Sequence, residues 1–116
     1  MNRILLFCLL MSACFVSCKE EDDDVSRNVE YSIDCTDCEV IYYTSGKQEI
    51  TEFDKNSDWT YSFEAKQGDV VMLVAYNTGD APQGVTARIR LNDAVLQERT
   101  TYCPISGLSM VIDTLQ

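Results

Sequence analysis

The sequence predicts an all-β chain, a single antiparallel β-sandwich of about seven to eight short strands that follows a signal peptide. Three observations carry that prediction. From Val25 on, apolar and polar residues alternate with the period of two that puts successive side chains on opposite faces of a strand. Turn-forming clusters interrupt the alternation every ~8–12 residues. No stretch of useful length repeats with the 3.6-residue period of a helix. The 116 residues suit one domain, since domains typically hold about 100–150 residues.

Taken in order, Val29, Tyr31, Ile33 and Cys35 alternate with Glu30, Ser32 and Asp34 as the first strand. Thr36-Asp37 is a short turn into a second strand, Val40 to Thr44, which ends at Ser45-Gly46. A weaker third strand spans Gln48 to Phe53, and Asp54 to Asp58 forms a polar loop. Trp59, Tyr61, Phe63 and Ala65 then alternate with Thr60, Ser62, Glu64 and Lys66. Gln67-Gly68-Asp69 turns the chain into "VVMLVAY", Val70 to Tyr76. That run is apolar at every position, as expected of a central strand covered on both faces. "NTGDAPQG" is a loop broken by Gly79, Pro82 and Gly84. Val85, Ala87, Ile89 and Leu91 alternate with Thr86, Arg88, Arg90 and Asn92. Asn92-Asp93 suits a two-residue hairpin, because both residue types tolerate positive φ. Ala94 to Thr101 pairs back, and Leu108 to Leu115 is the last strand. Trp59, Tyr61, Phe63, Leu73, Val85, Ile89 and Ile112 are the expected core.

The N-terminus has a different composition. A basic start, Met1-Asn2-Arg3, precedes 13 apolar residues, Ile4 to Val16. This run is too short to cross a bilayer core of ~30 Å as a stable helix, and it has the layout of a secretory signal. Residues 1–17 are therefore expected to be a signal peptide. Phe15-Val16-Ser17-Cys18 resembles a bacterial lipobox, which implies that Cys18 is acylated and becomes the first mature residue. Met11-Ser12-Ala13-Cys14 is a competing box with a better small residue. Cys18 is preferred over Cys14 because the polar chain starts immediately after it. Each buried methylene of an acyl chain contributes about 0.8 kcal/mol, so several chains on one cysteine hold firmly. Lys19 and the acidic run Glu20 to Asp24 make residues 18–27 a solvated spacer. A cysteine followed by lysine and acids also resembles the surface-export signal of lipoproteins in Bacteroidetes-type bacteria. It implies an outer-membrane lipoprotein, facing the periplasm or the cell surface, with residues 28–116 as its domain.

With the strands placed, "DWTYSFEAKQGDVVMLVAYNTG" followed by "GVTARIRLNDAVLQERTT" resembles the MmpS family of membrane-anchored transport accessory proteins. The matching positions are Trp59, Gly68, Ala75, Asn77, Ile89 and Asn92-Asp93, within residues 28 to 102. The resemblance implies an immunoglobulin-like sandwich outside the cytoplasmic membrane, beside a large lipid exporter. That family is anchored by a transmembrane helix, whereas this chain carries a lipobox-like cysteine.

Charge and composition exclude several functions. From Cys18 on there are 8 basic and 19 acidic residues, a net of −11. Such a chain repels phosphates, so nucleic acid and anionic lipid head groups are not expected partners. No histidine is present, which removes the usual general base and the commonest metal ligand. Glu49 and Glu52 are expected to be solvated, and Asp54-Asn56-Asp58 lacks the glycine and closing glutamate of an EF-hand loop. No metal site and no cofactor are expected. Arg88 and Arg90 share a strand face, with Glu98 as a cross-strand ion-pair partner.

Cys35, Cys38 and Cys103 remain after the signal and the lipidated residue. "CTDC" flanks a turn among acids, which raise a thiol pKa, rather than a helix N-terminus, which lowers it. A zinc site of the three cysteines with Asp37 is conceivable, but in an exported chain the three are disulfide candidates. Each pairing leaves one thiol over. A bridge from Cys35 or Cys38 to Cys103 is preferred to a local Cys35–Cys38 bond, because it closes the longer loop and ties the first strands to the last. Tyr42 and Tyr43 are adjacent, so one faces the core and the other is a candidate for stacking on a glycan or a protein.

The resulting expectation is a membrane-anchored extracytoplasmic lipoprotein whose sandwich is a non-catalytic binding or accessory module, monomeric or weakly oligomeric, with an envelope protein or a glycan as partner. The alternatives are an MmpS-like accessory of a membrane exporter and a thiol oxidoreductase using Cys35 and Cys38.

Overall fold

The structure, a computed structural model, describes residues 26–116. The expected signal peptide, the acidic run Lys19–Asp24 and both lipidation candidates, Cys14 and Cys18, lie outside the described residues. Eight strands follow one another: β1 (Arg27–Asp34), β2 (Cys38–Tyr43), β3 (Glu49–Lys55), β4 (Thr60–Ala65), β5 (Val70–Asn77), β6 (Gln83–Leu91), β7 (Ala94–Cys103) and β8 (Leu108–Thr114). A single 3-10 turn, Ser45–Lys47, joins β2 to β3. Among the described residues no helix is long and apolar enough to cross a membrane.

The strands form two antiparallel four-stranded sheets, ordered β4-β1-β6-β7 and β3-β2-β5-β8. They make the predicted β-sandwich, immunoglobulin-like in architecture with its own strand order. Two strands lie at the centre of each sheet, and these four carry the core. Val29, Tyr31 and Ile33 of β1 and Val85, Ala87 and Ile89 of β6 face inward from the first sheet. Val40 and Tyr42 of β2 and Val71, Leu73 and Ala75 of β5 face them from the second. Pairing sets Tyr31 between Tyr61 and Ile89, and Leu73 between Tyr42 and Val111. A one-residue slip would turn every one of these side chains to the surface, so the alternation holds the register.

Tyr31 fixes one sheet relative to the other. Its hydroxyl donates to the Tyr43 carbonyl at 2.6 Å and accepts the Met72 N–H at 3.2 Å, both on the opposite sheet. Burial raises its pKa well above the ordinary tyrosine value. Two turns need unusual backbone. Asn92 and Asp93 have φ of 49° and 68°, the double positive φ of a type I′ hairpin, as their residue types predicted. Gly68, at φ 90°, sits third in the Lys66–Asp69 turn, where a type II turn demands glycine.

Three of the seven expected core residues, Leu73, Val85 and Ile89, are fully buried, and Trp59, Tyr61 and Phe63 are partly buried against the core. Ile112 is not in it. It points outward and is 48% exposed, because Ser109 and Val111 hold the inward positions of β8. Every predicted strand exists, with ends displaced by no more than two residues.

Candidate functional site

Three places on the sandwich concentrate chemistry or exposed surface. The first is the end carrying the "CTDC" turn. Cys35 and Cys38 are joined to each other, with their Cα atoms 6.3 Å apart, and Cys103 is a free, buried thiol. The preferred bridge to Cys103 is therefore not made, because the turn already brings Cys35 and Cys38 within bonding reach. The Cys103 Sγ donates to the Thr101 carbonyl at 3.4 Å, and burial pushes its pKa up. Both bonded sulfurs belong to buried residues at strand ends.

The turn is latched by polar side chains. The Gln83 Oε1 accepts the Thr36 N–H at 2.9 Å, and its Nε2 donates to the Thr36 carbonyl and to the Asn77 Oδ1. Thr78 donates to the Asp37 carbonyl from its N–H at 3.1 Å and from its hydroxyl at 3.0 Å. Asn77 is the hub. It is completely buried, and its Nδ2 donates to the carbonyls of Ala81, Cys103 and Pro104 at 2.9, 3.2 and 3.3 Å. Its Oδ1 also accepts the Gly79 N–H at 3.0 Å. A shallow open cleft of about 320 Å³ lies beside this network, lined by Thr36, Asp37 and residues 79–83. Of the polar groups that line it, the Gln83 amide and the main chain of Thr36 are spent on the latch, while the carboxylates of Asp37 and Asp80 take no part in it.

The second place is an aromatic row between the β3 and β4 edges. Tyr42 is 2% exposed, so it is not a surface platform. Its ring centroid lies 4.8 Å from Tyr61, 5.4 Å from Trp59 and 5.6 Å from Tyr31. Its hydroxyl donates to the Glu52 Oε2 at 2.5 Å, which also accepts the Trp59 Nε1–H at 3.3 Å. Glu52 was expected in solvent. It faces inward because it shares a strand face with Ile50. The Tyr42 hydroxyl, the Trp59 indole and Lys55 together hold its carboxyl below the usual carboxylate range. Burial and Glu52 push Tyr42 upward. Tilted rings at these spacings are ordinary stabilising aromatic contacts. The row closes the seam between the sheets and binds its own polar groups.

The third place is the outer face of the β3-β2-β5-β8 sheet, and it is unlike its counterpart. The outer face of the β4-β1-β6-β7 sheet is polar over β4, β1 and β6, with Val95 and Tyr102 exposed on β7. Thr60, Ser62 and Glu64 line β4, and Glu30, Ser32 and Asp34 line β1. Arg88 reaches Glu98 at 2.8 Å and Asp34 at 3.1 Å, so the expected cross-strand ion pair forms and gains a second carboxylate. On the other sheet, Thr51, Ile41, Val74 and Met110 make one row across the strands. Met72 and Ile112 are paired in the next row, and Tyr76 and Leu108 on the other side. Phe53, Leu108, Met110 and Ile112 are 65, 42, 39 and 48% exposed. Val74 is nearly buried yet lies outside the core cluster, because its neighbours on the face shield it. Tyr43 belongs to this face, opposite Glu49. Of the two candidate tyrosines, then, Tyr43 is at a surface and Tyr42 is in the core.

β5 therefore has the doubly apolar character expected of a covered central strand, while no described element covers its outer side. An extended apolar patch on a folded domain marks an interaction surface more often than chance exposure does. Sequence reading missed this face because it assumed that apolar residues on β8 point inward. The signal that exposes it is Leu108, Met110 and Ile112 falling in the same phase, with Ser109 in the other.

Among the described residues, no group of histidine, cysteine or carboxylate side chains is arranged to hold a metal ion. No protein-family model matches the chain, and no curated protein does.

Proposed function

We propose that this chain is a membrane-anchored extracytoplasmic lipoprotein, attached through Cys18, whose sandwich is a non-catalytic module that binds an envelope protein through the outer face of the β3-β2-β5-β8 sheet. The observation that carries the reading is that face: a row of apolar side chains across a sheet whose inner side already supplies the core. The aromatic row with Glu52 satisfies its polar groups internally, and the shallow cleft at the disulfide turn is bounded by a latch whose amide groups are already paired. A protein partner suits the face better than a glycan, because its middle rows, Ile41, Val74, Met110, Met72 and Ile112, are aliphatic or thioether side chains that offer no hydrogen bond to a sugar hydroxyl. An accessory role beside a membrane exporter, as the MmpS resemblance implies, is one form of this reading.

The test is in-cell cross-linking of the tagged full-length protein, followed by identification of what is captured. The reading expects one envelope protein in near-equal amount from the wild type, and loss of that protein from Met110→Glu. An equal yield from Met110→Glu, or no stoichiometric partner at all, contradicts it.

A further inference from the structure

Resting on that reading of the face, we propose that its occupant is an amphipathic helix of the partner protein, about 15 residues long, apolar where it docks and basic along the flank next to β2 and β3.

The backbone argues for a helix. The face offers side chains, since β2 and β5 are paired on both sides and the unpaired main-chain groups of β3 and β8 point along the sheet edges rather than out of the face. A strand laid flat on it would bury N–H and C=O groups with nothing to meet, whereas a helix closes its own. A helix over a sheet is also one of the few stable layer arrangements.

Size argues for a single element. Seven residues at ~3.3 Å and four strands at ~4.8 Å give a face of roughly 23 by 19 Å, or about 430 Å². Two copies stacked face to face would bring together two domains that each carry 7 basic and 14 acidic side chains over the described residues. A helix rising 1.5 Å per residue covers the ~23 Å length of β5 and β8, over Met72, Val74 and Tyr76 and over Leu108, Met110 and Ile112, in about 15 residues.

Charge orients it. The charged side chains on this face are Glu39, beside Tyr76, and Glu49, beside Tyr43. Both lie on the β2–β3 side of the apolar stripe, and the one base on these strands, Lys55, sits opposite Cys38 and pairs with Glu52 instead. Complementary charge on the partner is then Lys or Arg on that flank.

The test replaces Met110 with a photo-activated cross-linking residue in the full-length lipoprotein, in cells, and sequences the peptide it captures. The expected peptide comes from another protein, has apolar residues at i, i+3, i+4 and i+7, and carries Lys or Arg on one side. Glu39→Lys with Glu49→Lys lowers the yield about fivefold, the scale of two rim ion pairs, while Glu64→Lys on the opposite sheet leaves it unchanged. A captured peptide from this chain itself, or from a partner but without helical spacing, overturns the helix and leaves the docking face standing. Lipid adducts alone, or no adduct at Met110, overturn both.

Discussion

Asn77 is a single side chain on which one end of the sandwich depends, and its replacement by alanine tests that directly. Its amide has five hydrogen-bond partners: three carbonyls that share its two N–H donors, and two donors to its oxygen, from Gly79 and Gln83. Four of the five partners belong to residues at least partly open to water and can find a replacement, so each of those losses costs about 0.5–1 kcal/mol. The fifth, the Cys103 carbonyl, belongs to a fully buried residue and loses a buried bond worth about 1 kcal/mol or more. The expected cost of Asn77→Ala is about 3–5 kcal/mol, read as a shift of the urea midpoint with the slope unchanged. Asn77→Asp keeps the shape and the two accepted bonds but turns a carboxylate oxygen toward three carbonyls. It should be at least as damaging as alanine at neutral pH. Its folded-state pKa is raised, so its deficit shrinks as the pH falls and the carboxyl protonates. A cost under 1 kcal/mol for alanine, or an aspartate variant as stable as wild type at pH 7, would refute the hub.

Other outcomes follow from the same geometry. Replacing Cys35 and Cys38 together by serine should cost about 2 kcal/mol, since the bond spans a separation of only 3 residues and short loops restrain the unfolded chain least. Alkylation mapping should label Cys103 only after denaturation, and Cys35 and Cys38 only after reduction. Glu52→Gln should cost about 0.5 kcal/mol at pH 7, discounted because the side chain is 31% exposed. The folded pKa of Glu52 is depressed, so its contribution is present above the ordinary value of 4.5 and is lost as the pH falls through the lowered one. The difference between the two proteins should vanish in acid denaturation curves near pH 2. Leu73→Ala, in the core, should cost about 2–5 kcal/mol, whereas Met110→Lys should stay within about 0.5 kcal/mol of wild type. Equal thermal shifts for these two would place Met110 in the core.

The strands were legible because the period of two is strong in β1, β4 and β6, where large apolar residues mark one face and polar ones the other. The hairpin at Asn92-Asp93 was legible because few residue types accept two positive φ angles in succession. β8 misled because its larger apolar residues, Leu108, Met110 and Ile112, point outward while Ser109 and Val111 point inward. A rule that sends the larger hydrophobic residues to the core fails where a sheet is apolar on both sides. The cysteine preference failed because loop entropy concerns the unfolded chain, while pairing depends on which Cα atoms the fold brings together. Glu52 was misplaced because its parity with Ile50 decides its side, and carboxylate chemistry alone suggested solvent. The Asn77–Gln83 latch has no local sequence signature. It joins residues from β1's end, β5 and β6 that meet only in the folded sandwich.

The central claim, that the outer face of the β3-β2-β5-β8 sheet is a covered surface in the cell, is tested most directly by hydroxyl-radical footprinting of the protein in intact cells and after purification. Met110 and Ile112 should be strongly protected in cells and reactive once purified, while Tyr102, 75% exposed on the opposite sheet, should react equally in both. Equal reactivity of Met110 and Ile112 in the two settings would contradict the claim.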